Sequence, residues 1–311
     1  MQTPTMQAVL VDRYGEADVL ELRQTERPQP QAGEVLVRLE YTAVIPLDWK
    51  IRRGWLKQVF PITFPYIPGF YASGTVEAAG EGVTEFQAGD RVLGQFTGAY
   101  AEFAVAKKQE LVKVPDSLSL DEAAAVRGGA DSAWKALFTE GELQSGQTVL
   151  IHAAAGGVGQ FAVQLAKWKG ATVIGTASAS NLEFVKSLGA DRVIDYRSEK
   201  FDQLVQDVDL VVDTVGGETQ ERSWKVLKQG GMLVSLFEEP DAEQAAAHGA
   251  TGKFNTKFST RDDLLQIVDL IANGTLKTQI DSIYPIGEVQ EAHRRSETRS
   301  GRGRILLSPR G

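Results

Sequence analysis

The sequence contains no cysteine, and its only histidines, His152, His248 and His293, are far apart along the chain. The lack of cysteine excludes disulfides, thiolate catalysis and every zinc site that uses sulfur ligands. A metal site built from histidine alone would need most of these scattered residues. We therefore expect no bound metal.

Positive charge and long apolar segments are also scarce. There are 41 acidic and 33 basic side chains, for a net charge of −8. This balance argues against nucleic-acid binding, because phosphate neutralisation requires clustered Lys and Arg. No uninterrupted apolar run of about 18 residues occurs, so no membrane span is expected, and the N-terminal segment does not resemble a signal peptide. The sequence predicts a cytoplasmic protein that binds neither nucleic acid nor membrane.

Up to about residue 115, short β segments rich in Val, Thr and aromatic residues are separated by Gly and Pro. They read MQAVLV, EVLVRLEYTAV, SGTVEAAG, DRVLGQF and AYAEFAVA. This pattern predicts a mostly antiparallel barrel or sandwich. We interpret residues 49–68 as a long functional loop. Its aromatic side chains suit either a pocket for flat rings or the core, and they are Trp49, Trp55, Phe60, Phe64 and Tyr66.

From about residue 121, apolar β segments alternate with amphipathic helical segments, as in TVLIHAA, ATVIGTAS, DRVIDY, VDLVVDTV and GMLVSLF. Alternation of this kind predicts an α/β fold with a doubly wound parallel sheet, covered on both faces. After residue 254 the pattern predicts two helices and two strands, which we expect to return to the first domain. The predicted division is a discontinuous β-rich domain, residues 1–122 and 257–311, around a Rossmann domain, residues 123–256.

The strongest local signal is IHAAAGGVGQFAVQLAK, which follows a predicted strand and opens a helix. It has the G-x-G-x-x-G spacing of a dinucleotide site, with alanine in the first place. The middle glycine admits a pyrophosphate, the last allows close packing, and the helix N-terminus offers free N–H groups. A turn that serves packing alone is the alternative. The turn residues expected at the cofactor are Ala154, Gly156, Gly157, Val158 and Gly159.

The turn after the second Rossmann strand indicates which dinucleotide binds. An acidic residue about 20 positions after the glycines would bind the ribose 2′-hydroxyl of NAD. This turn has no carboxylate, which favours NADPH, and it has no cation to pair with a 2′-phosphate. Arg197 beside Tyr196 is a candidate partner, or else an ordinary surface charge. The residues of the turn are Ala177, Ser178, Ser180 and Asn181.

Taken together, AAAGGVGQFAVQLAK, AGDRV, VDLVVDTVGG and the domain order resemble the zinc-independent medium-chain dehydrogenase/reductases, specifically NADPH:quinone oxidoreductases of the zeta-crystallin type. The resemblance implies that the β-rich domain is GroES-like, that the cofactor lies between the domains, and that the protein is a homodimer. It also places Ile45, Phe70 and Tyr71 where metal-dependent relatives bind zinc, and none is a plausible ligand. Without a Lewis acid, quinones and α,β-unsaturated carbonyls are the easier hydride acceptors.

The segment PLDWK holds the first catalytic candidates. Lys50 is a candidate donor to a substrate carbonyl or to the nicotinamide ribose, and Asp48 is a candidate to orient it. The alternatives are a surface base for Lys50 and a turn cap for Asp48. Tyr71 is a second candidate donor, or a wall of the pocket. The family motif Asn-Pro-x-Asp has an Asn where this sequence has Ile45, a departure that affects a polar contact with the cofactor.

The resemblance implies further cofactor contacts along the chain. Ser132 would lie at the nicotinamide end, and segments after two Rossmann strands would close over the cofactor. Two residues would come from the returning tail. We expect His152, beside the glycine turn, to serve packing and not acid–base chemistry. The implied contacts, besides Ser132, are Thr214, Val215, Gly216, Ser235, Leu236, Gly303 and Arg304.

These observations predict a metal-independent reductase that transfers hydride from NADPH to planar quinones or α,β-unsaturated carbonyl compounds. One alternative is a zinc-free enoyl-thioester reductase. Another is a non-catalytic NADPH-binding sensor or structural protein, for which the loss of the family Asn at Ile45 is the main support.

Overall fold

The computed structural model describes residues 4–256 and 259–310, which form two sheets and a separate two-stranded ribbon. The strands are β1 (Thr5–Leu10), β2 (Glu21–Glu26), β3 (Glu34–Val44), β4 (Tyr71–Ala79), β5 (Arg91–Gln95), β6 (Phe103–Lys107), β7 (Leu111–Lys113), β8 (Thr148–Ile151), β9 (Thr172–Ala177), β10 (Arg192–Asp195), β11 (Val208–Asp213), β12 (Leu227–Ser235), β13 (Thr251–Phe254), β14 (Ile280–Pro285) and β15 (Arg304–Ser308).

The α-helices flank these strands or connect them. They are α1 (Pro46–Arg52), α2 (Leu120–Ala124), α3 (Ala130–Trp134), α4 (Gly159–Trp168), α5 (Leu182–Ser187), α6 (Phe201–Leu204), α7 (Glu218–Ser223), α8 (Ala242–Ala247), α9 (Arg261–Ala272) and α10 (Val289–Glu297). A π-helical segment, Lys135–Glu140, continues α3. Within the described ranges, none of the helices combines the length and apolar character needed to span a bilayer.

The first sheet is mostly antiparallel and includes the last strands of the chain. Its order is β14-β15-β3-β4-β5-β7, and β6 also pairs with β3. Inward-facing Val35, Val37 and Leu39 of β3 pack with Phe86 and Phe96 in one core. β15 pairs antiparallel with the end of β3, so the chain returns to this sheet. The domain bounds 1–122, 123–256 and 257–311 stay a prediction, and residues 1–3, 257, 258 and 311 lie outside the described ranges.

The second sheet is parallel, in the order β10-β9-β8-β11-β12-β13. Two apolar clusters pack against the sheet: Val149 and Ile151 of β8 belong to one, and Leu150 between them belongs to the other. Because side chains from both faces are buried, the central strands are near-continuous apolar runs. The predicted doubly wound fold is confirmed. We missed β13, because its four residues are only partly buried and carry a weak pattern.

The loop expected over residues 49–68 is wrong at its start, since α1 extends to Arg52. Pro46 occupies the first turn of the helix, where its missing N–H is not needed. The Asp48 carboxylate accepts a hydrogen bond from the backbone N–H of Ile45, at 2.8 Å, and so caps the helix. The helix α1 has only seven residues, in a segment rich in proline and aromatic residues, so its apolar positions show no clear helical period. The pattern alone therefore indicated a loop.

Candidate active site

The glycine turn between β8 and α4 has the geometry of a dinucleotide cradle. At Gly159 a Cβ atom would lie 2.3 Å from the Ala153 carbonyl oxygen, so only glycine permits this close packing. At Gly156 a Cβ would meet only that same oxygen, at 3.3 Å, so the turn is otherwise open there. An open glycine before a helix N-terminus is what a pyrophosphate requires. The residues present therefore fit a nicotinamide dinucleotide.

The returning tail lies directly against this turn. Gly303 pairs with Gly156, and its N–H donates to the Ala155 carbonyl oxygen at 3.0 Å. Arg304 follows and is buried; a Cβ at Gly157 would lie 2.9 Å from its side chain. The resemblance placed both tail residues at the cofactor, and the structure brings them to the turn.

The guanidinium of Arg304 already has protein partners. Its Nη2 donates to the Arg127 carbonyl oxygen at 3.1 Å, and its Nη1 to that of Gly128 at 3.4 Å. Burial lowers its pKa, while Asp131 and Asp48 oppose that effect. Arg304 therefore ties the loop before α3 to the glycine turn. This geometry gives Arg304 a positioning role, and a direct contact with the cofactor stays a prediction.

The turn after β9 is joined to the same tail. Ser178 Oγ lies 3.2 Å from Ser180 Oγ and 3.3 Å from the amide nitrogen of Asn181. Arg302 donates from Nε to the Asn181 side-chain oxygen at 2.6 Å, and from Nη2 to the Ser180 carbonyl oxygen. A cation thus reaches the turn that has none of its own. Sequence reasoning missed Arg302, since no local signal connects residues 122 positions apart.

The other residues predicted at the ribose end have different surroundings. The Arg197 guanidinium lies over the Tyr196 ring, 5.7 Å from its centroid, and its backbone N–H donates to Asp195. Tyr196 is exposed, and its backbone N–H donates to the Ala177 carbonyl oxygen. Ala177 is buried in the apolar core, so a carboxylate introduced there would enter the core.

The loop after β11 is held by a buried carboxylate. Asp213 accepts from the backbone N–H groups of Val215 at 2.9 Å and Gly216 at 3.0 Å. The Thr214 hydroxyl donates to the His152 carbonyl oxygen at 3.0 Å. Gly216 has φ of +78°, a conformation that favours glycine. The three predicted residues therefore form one ordered loop at the end of the strand, near the glycine turn.

At the end of β12, the Ser235 side chain is fully buried. It accepts from Gln220 Nε2 at 3.2 Å and from the backbone N–H of Phe237 at 3.2 Å. The Ser235 side chain therefore fixes the loop after β12, and its contact near the carboxamide stays a prediction. Leu236 follows, and its backbone N–H donates to the Asp213 carbonyl oxygen at 2.8 Å.

Lys50 lies where α1 of the β-rich part meets the end of β12. Its Nζ is 4.5 Å from the centroid of the Phe237 ring. The Arg299 guanidinium lies 5.4 Å from the same ring and 5.7 Å from that of Trp49. Burial and the positive charge of Arg299 lower the pKa of Lys50. The structure thus places Lys50 at the junction of the two parts, as a catalytic or cofactor-binding lysine requires.

Asp48 does not orient Lys50. Its Oδ2 accepts from the Ile45 backbone N–H at 2.8 Å and from the Tyr100 hydroxyl at 2.9 Å. Two residues apart on a helix, Asp48 and Lys50 point to different faces. Burial raises the pKa of Asp48 to about 7, against the lowering effect of its hydrogen bonds. The alternative that the sequence left open, a cap, is the arrangement found.

The positions that bind zinc in metal-dependent relatives form an apolar cluster. Ile45 is buried there with Leu306, and Phe70 and Tyr71 pack against them. Burial raises the pKa of Tyr71 to about 12, and the Arg127 guanidinium lies 5.5 Å from its ring. This donor set does not fit a zinc ion. Among the described residues, no group of three or more His, Asp or Glu side chains is arranged to hold a metal.

A cleft of about 530 Å³ opens beside this cluster. Its walls are mostly apolar and include Ile51, Tyr66 and Phe70, with Asp48 and Gln95 as polar members. The Tyr66 hydroxyl and Asp48 Oδ1 are buried without hydrogen-bond partners in the structure. A mostly apolar cleft with a few polar groups is typical of a site for a small molecule.

Of the aromatic residues proposed for a ring pocket, Tyr66 lines this cleft. Trp49 is buried and packs edge-on against Trp55, with ring centroids 5.5 Å apart. Phe64 packs against Tyr14 at 4.9 Å, and Phe60 is exposed. Trp49 and Phe64 therefore serve packing, which was the alternative, whereas Trp55 and Phe60 are exposed.

Ser132 and His152 complete the predicted set. Ser132 lies in α3, and its carbonyl oxygen accepts from Asn255 Nδ2 at 3.2 Å, which joins α3 to the segment after β13. His152 is buried between the hydroxyls of Thr176, at 3.1 Å, and Ser223, at 2.9 Å. Burial lowers its pKa to about 4, so it is neutral at neutral pH. The predicted packing role of His152 is confirmed.

The parallel sheet, the glycine cradle and the β-rich second unit together define a two-domain dehydrogenase or reductase. Residues 31–116 match the alcohol dehydrogenase GroES-like domain family, and residues 188–307 match the zinc-binding dehydrogenase family. The chain belongs to the medium-chain dehydrogenase/reductase family of oxidoreductases, with a nicotinamide cofactor, as its sequence predicted.

Relatives and solved structures cover nearly the whole chain. A chloroplast envelope quinone oxidoreductase homolog of Arabidopsis thaliana is 34% identical over 98% of both chains. The structure of the quinone oxidoreductase from Coxiella burnetii has a TM-score of 0.89 at 32% identity, covering 98% of this chain and 99% of that one. A mycobacterial protein complexed with NADPH has a TM-score of 0.89 at 30% identity, covering 98% and 100%.

Proposed function

We propose that the protein is an NADPH-dependent reductase of quinones or α,β-unsaturated carbonyl compounds that works without a metal. One observation carries this proposal: a dinucleotide cradle lies close to an apolar cleft, and between them lie Ile45, Phe70 and Tyr71, which the resemblance aligns with the zinc positions of metal-dependent relatives. Phe70 lines the cleft, and its neighbour Tyr71 packs on Gly128. Arg304 donates to the Gly128 carbonyl oxygen and also lies against Gly157 of the glycine turn, so these contacts connect the cleft to the cradle.

The chemistry divides between cofactor and chain. Bound NADPH supplies the hydride, and the protein supplies orientation and a dry environment. The apolar walls of the cleft exclude water from a planar acceptor. Lys50 is not among the residues that line this cleft; its half-buried ammonium lies at the domain junction, over the Phe237 ring. We propose that the acceptor oxygen extends from the cleft to this junction, where Lys50 donates a hydrogen bond to it as negative charge develops. The oxygen then takes its proton from Lys50 or from solvent.

The preference for NADPH over NADH is part of the proposal. Its support is the Ser178–Asn181 turn, which lacks the carboxylate that would repel a 2′-phosphate. The mycobacterial structure with NADPH is consistent with this choice. The sharper test than a substitution at buried Ala177 is Ser178→Asp, because Ser178 is partly exposed. We expect this variant to lose NADPH affinity and to retain NADH affinity.

The test of the activity is oxidation of NADPH by the purified protein, followed by absorbance, with and without acceptor. The panel includes a benzoquinone, a naphthoquinone, an enone, an enoyl-CoA and, as the control, a saturated ketone. Turnover with the quinones or enone, and not with the ketone, is the expected result. Turnover with the enoyl-CoA alone would favour a thioester reductase. Cofactor binding without turnover on any acceptor would favour a sensor or structural protein.

We also propose that the protein is a cytoplasmic homodimer, with the edge strand of the parallel sheet at the interface. β13 is an edge strand of that sheet, and exposed edges are ready sites for pairing. Light scattering on the eluted protein tests the mass, and Gly252→Pro in β13 would remove a backbone donor from the edge. Because a Cβ at Gly252 would lie 2.6 Å from Pro240 Cβ, thermal unfolding must first show that the variant is folded. An unchanged dimer in this variant would exclude pairing through β13, and a monomeric wild type would exclude the dimer.

A further inference from the structure

We infer that Arg302, in the returning tail, recognises the 2′-phosphate of the cofactor and so determines the preference for NADPH. The inference rests on the proposed function and adds a residue that the sequence did not single out. It starts from the contact between Arg302 and the turn after β9, where a 2′-phosphate would lie in a dinucleotide fold.

The orientation of the Arg302 side chain is fixed by two hydrogen bonds. Asn181 Oδ1 accepts from Nε at 2.6 Å, and the Ser180 carbonyl oxygen accepts from Nη2. A guanidinium has five N–H groups in a planar fork, so these contacts leave others to donate to a phosphate. The Cζ atom of Arg302 also lies 5.6 Å from the centroid of the Phe184 ring. The fork geometry suits bidentate binding of phosphate oxygens.

The backbone on both sides of Arg302 is also fixed. Its own N–H donates to Asp281 Oδ1 at 3.0 Å, and the next residue, Gly303, donates to Ala155 at 3.0 Å. One tail segment therefore touches the pyrophosphate cradle through Gly303 and the ribose turn through Arg302. This arrangement presents a positive charge at the place where the turn itself has only hydroxyls and an amide.

Arg197, the cation that the sequence favoured, is the matched comparison. Its guanidinium lies over Tyr196, and its backbone binds Asp195, the carboxylate at the end of β10. Both arginines are exposed; Arg197 lies in the turn after β10, and Arg302 lies just before β15. A substitution of each one to glutamine removes one charge near the ribose end, so the pair separates a specific contact from a general electrostatic effect.

The experiment measures binding of 2′,5′-ADP and 5′-AMP to the wild-type protein and to Arg302→Gln, Arg302→Lys and Arg197→Gln by titration calorimetry. These nucleotides differ at the 2′-phosphate alone. Arg302→Gln is expected to lose affinity for 2′,5′-ADP by about 10- to 100-fold, the range for a charge-assisted hydrogen bond. Its affinity for 5′-AMP is expected to stay unchanged. Arg302→Lys should retain part of the preference, and Arg197→Gln all of it.

The inference is overturned if Arg302→Gln keeps the wild-type preference, if it loses both nucleotides equally, or if Arg197→Gln loses the preference instead. An equal loss would assign Arg302 a purely structural role in the tail. Thermal unfolding of each variant shows whether the fold is intact. The outcome is separate from the proposed reaction: a protein that discriminates the two nucleotides through Arg302 but reduces no acceptor would overturn the activity and leave this inference standing.

Discussion

Arg52 Nη1 lies 2.9 Å from His293 Nδ1, and this contact joins α1 to α10 in the interior of the protein. An arginine can only donate, so Nδ1 is the acceptor and the ring proton is on Nε2. His293 Nε2 then donates to the Tyr100 oxygen at 3.1 Å, and the Tyr100 hydroxyl donates to Asp48 at 2.9 Å. The direction of every hydrogen bond in this chain follows from one neutral histidine.

Stability should therefore depend on the protonation of His293. Burial and the charge of Arg52 lower its pKa to about 3. Below pH 6.5 the histidine of the unfolded chain binds a proton, whereas folded His293 stays neutral. The contribution of neutral His293 to the free energy of unfolding is therefore complete above pH 6.5 and is lost as the pH falls toward 3. Asp48, whose pKa is raised to about 7, changes stability in the opposite direction over this range. The effect must therefore be measured as a difference between proteins.

We expect His293→Gln, which keeps an acceptor and a donor, to lose less stability than the wild type as the pH falls from 6.5 to 4. Over this pH range, the difference in unfolding free energy between His293→Gln and the wild type should change by on the order of 3 kcal/mol, since one pKa unit corresponds to about 1.4 kcal/mol. Urea unfolding at a series of pH values measures it. His248→Gln is the control, because His248 is partly exposed at the end of α8. Parallel pH curves for His293→Gln and the wild type would contradict the assignment.

Asp48 should behave as a structural cap coupled to Tyr100. In Asp48→Ala, the Ile45 N–H and the Tyr100 hydroxyl lose their acceptor, and each buried orphan costs about 1–3 kcal/mol. We expect a smaller loss for Asp48→Asn, which keeps one oxygen. Denaturant unfolding of Asp48→Ala, Tyr100→Phe and the double variant should give a coupling of about 1 kcal/mol. Additive losses would show that the two side chains do not interact.

The sequence was sufficient where the signal is local. The glycine turn, the parallel sheet and the last helices and strands follow from spacing and apolar periodicity over 10 to 20 residues, and the structure has them. The Asp48 cap also had a local signal, a proline directly after Ile45 and an acid three positions after it, which indicates a helix start. The structure has the cap, which the sequence left open as the alternative to a role in orienting Lys50.

Contacts of the returning tail could not be predicted in the same way. Arg302 meets Ser180, and Arg304 meets Arg127, across 122 and 177 positions of the chain. Which tail residue reaches which turn depends on how β15 pairs with β3, and a shift of one residue would turn each side chain to the other face. The hydrogen bonds of the buried Ser235 hydroxyl, to Gln220 and to the backbone of Phe237, were equally out of reach of the pattern. Periodicity indicates that a strand exists, but not these partners.

Lys50 should affect the chemical step. If it donates to the acceptor oxygen, Lys50→Ala lowers kcat by about a hundredfold, a typical size for a positioned proton donor. If it holds the nicotinamide ribose instead, the variant raises KM for NADPH and changes kcat less. Steady-state kinetics with a quinone separates these two roles. Lys57→Ala, an exposed lysine in the turn after α1, is the control and should match the wild type. Wild-type kinetics in Lys50→Ala would exclude both roles.

The two glycines of the cradle should respond differently to the same small change. In Gly159→Ala the new Cβ would lie 2.3 Å from the Ala153 carbonyl oxygen and 2.7 Å from Ala154 Cα, so α4 must move away from the turn. We expect a loss of about 1–3 kcal/mol of stability, the usual cost of overpacking, together with loss of NADPH binding.

In Gly156→Ala the nearest contact is 3.3 Å, so stability should be nearly unchanged. NADPH affinity should still fall, because the added methyl group takes the space of the pyrophosphate. Thermal unfolding and fluorescence titration with NADPH measure the two effects. If Gly156→Ala binds NADPH as tightly as the wild type does, the pyrophosphate does not approach the backbone at this glycine.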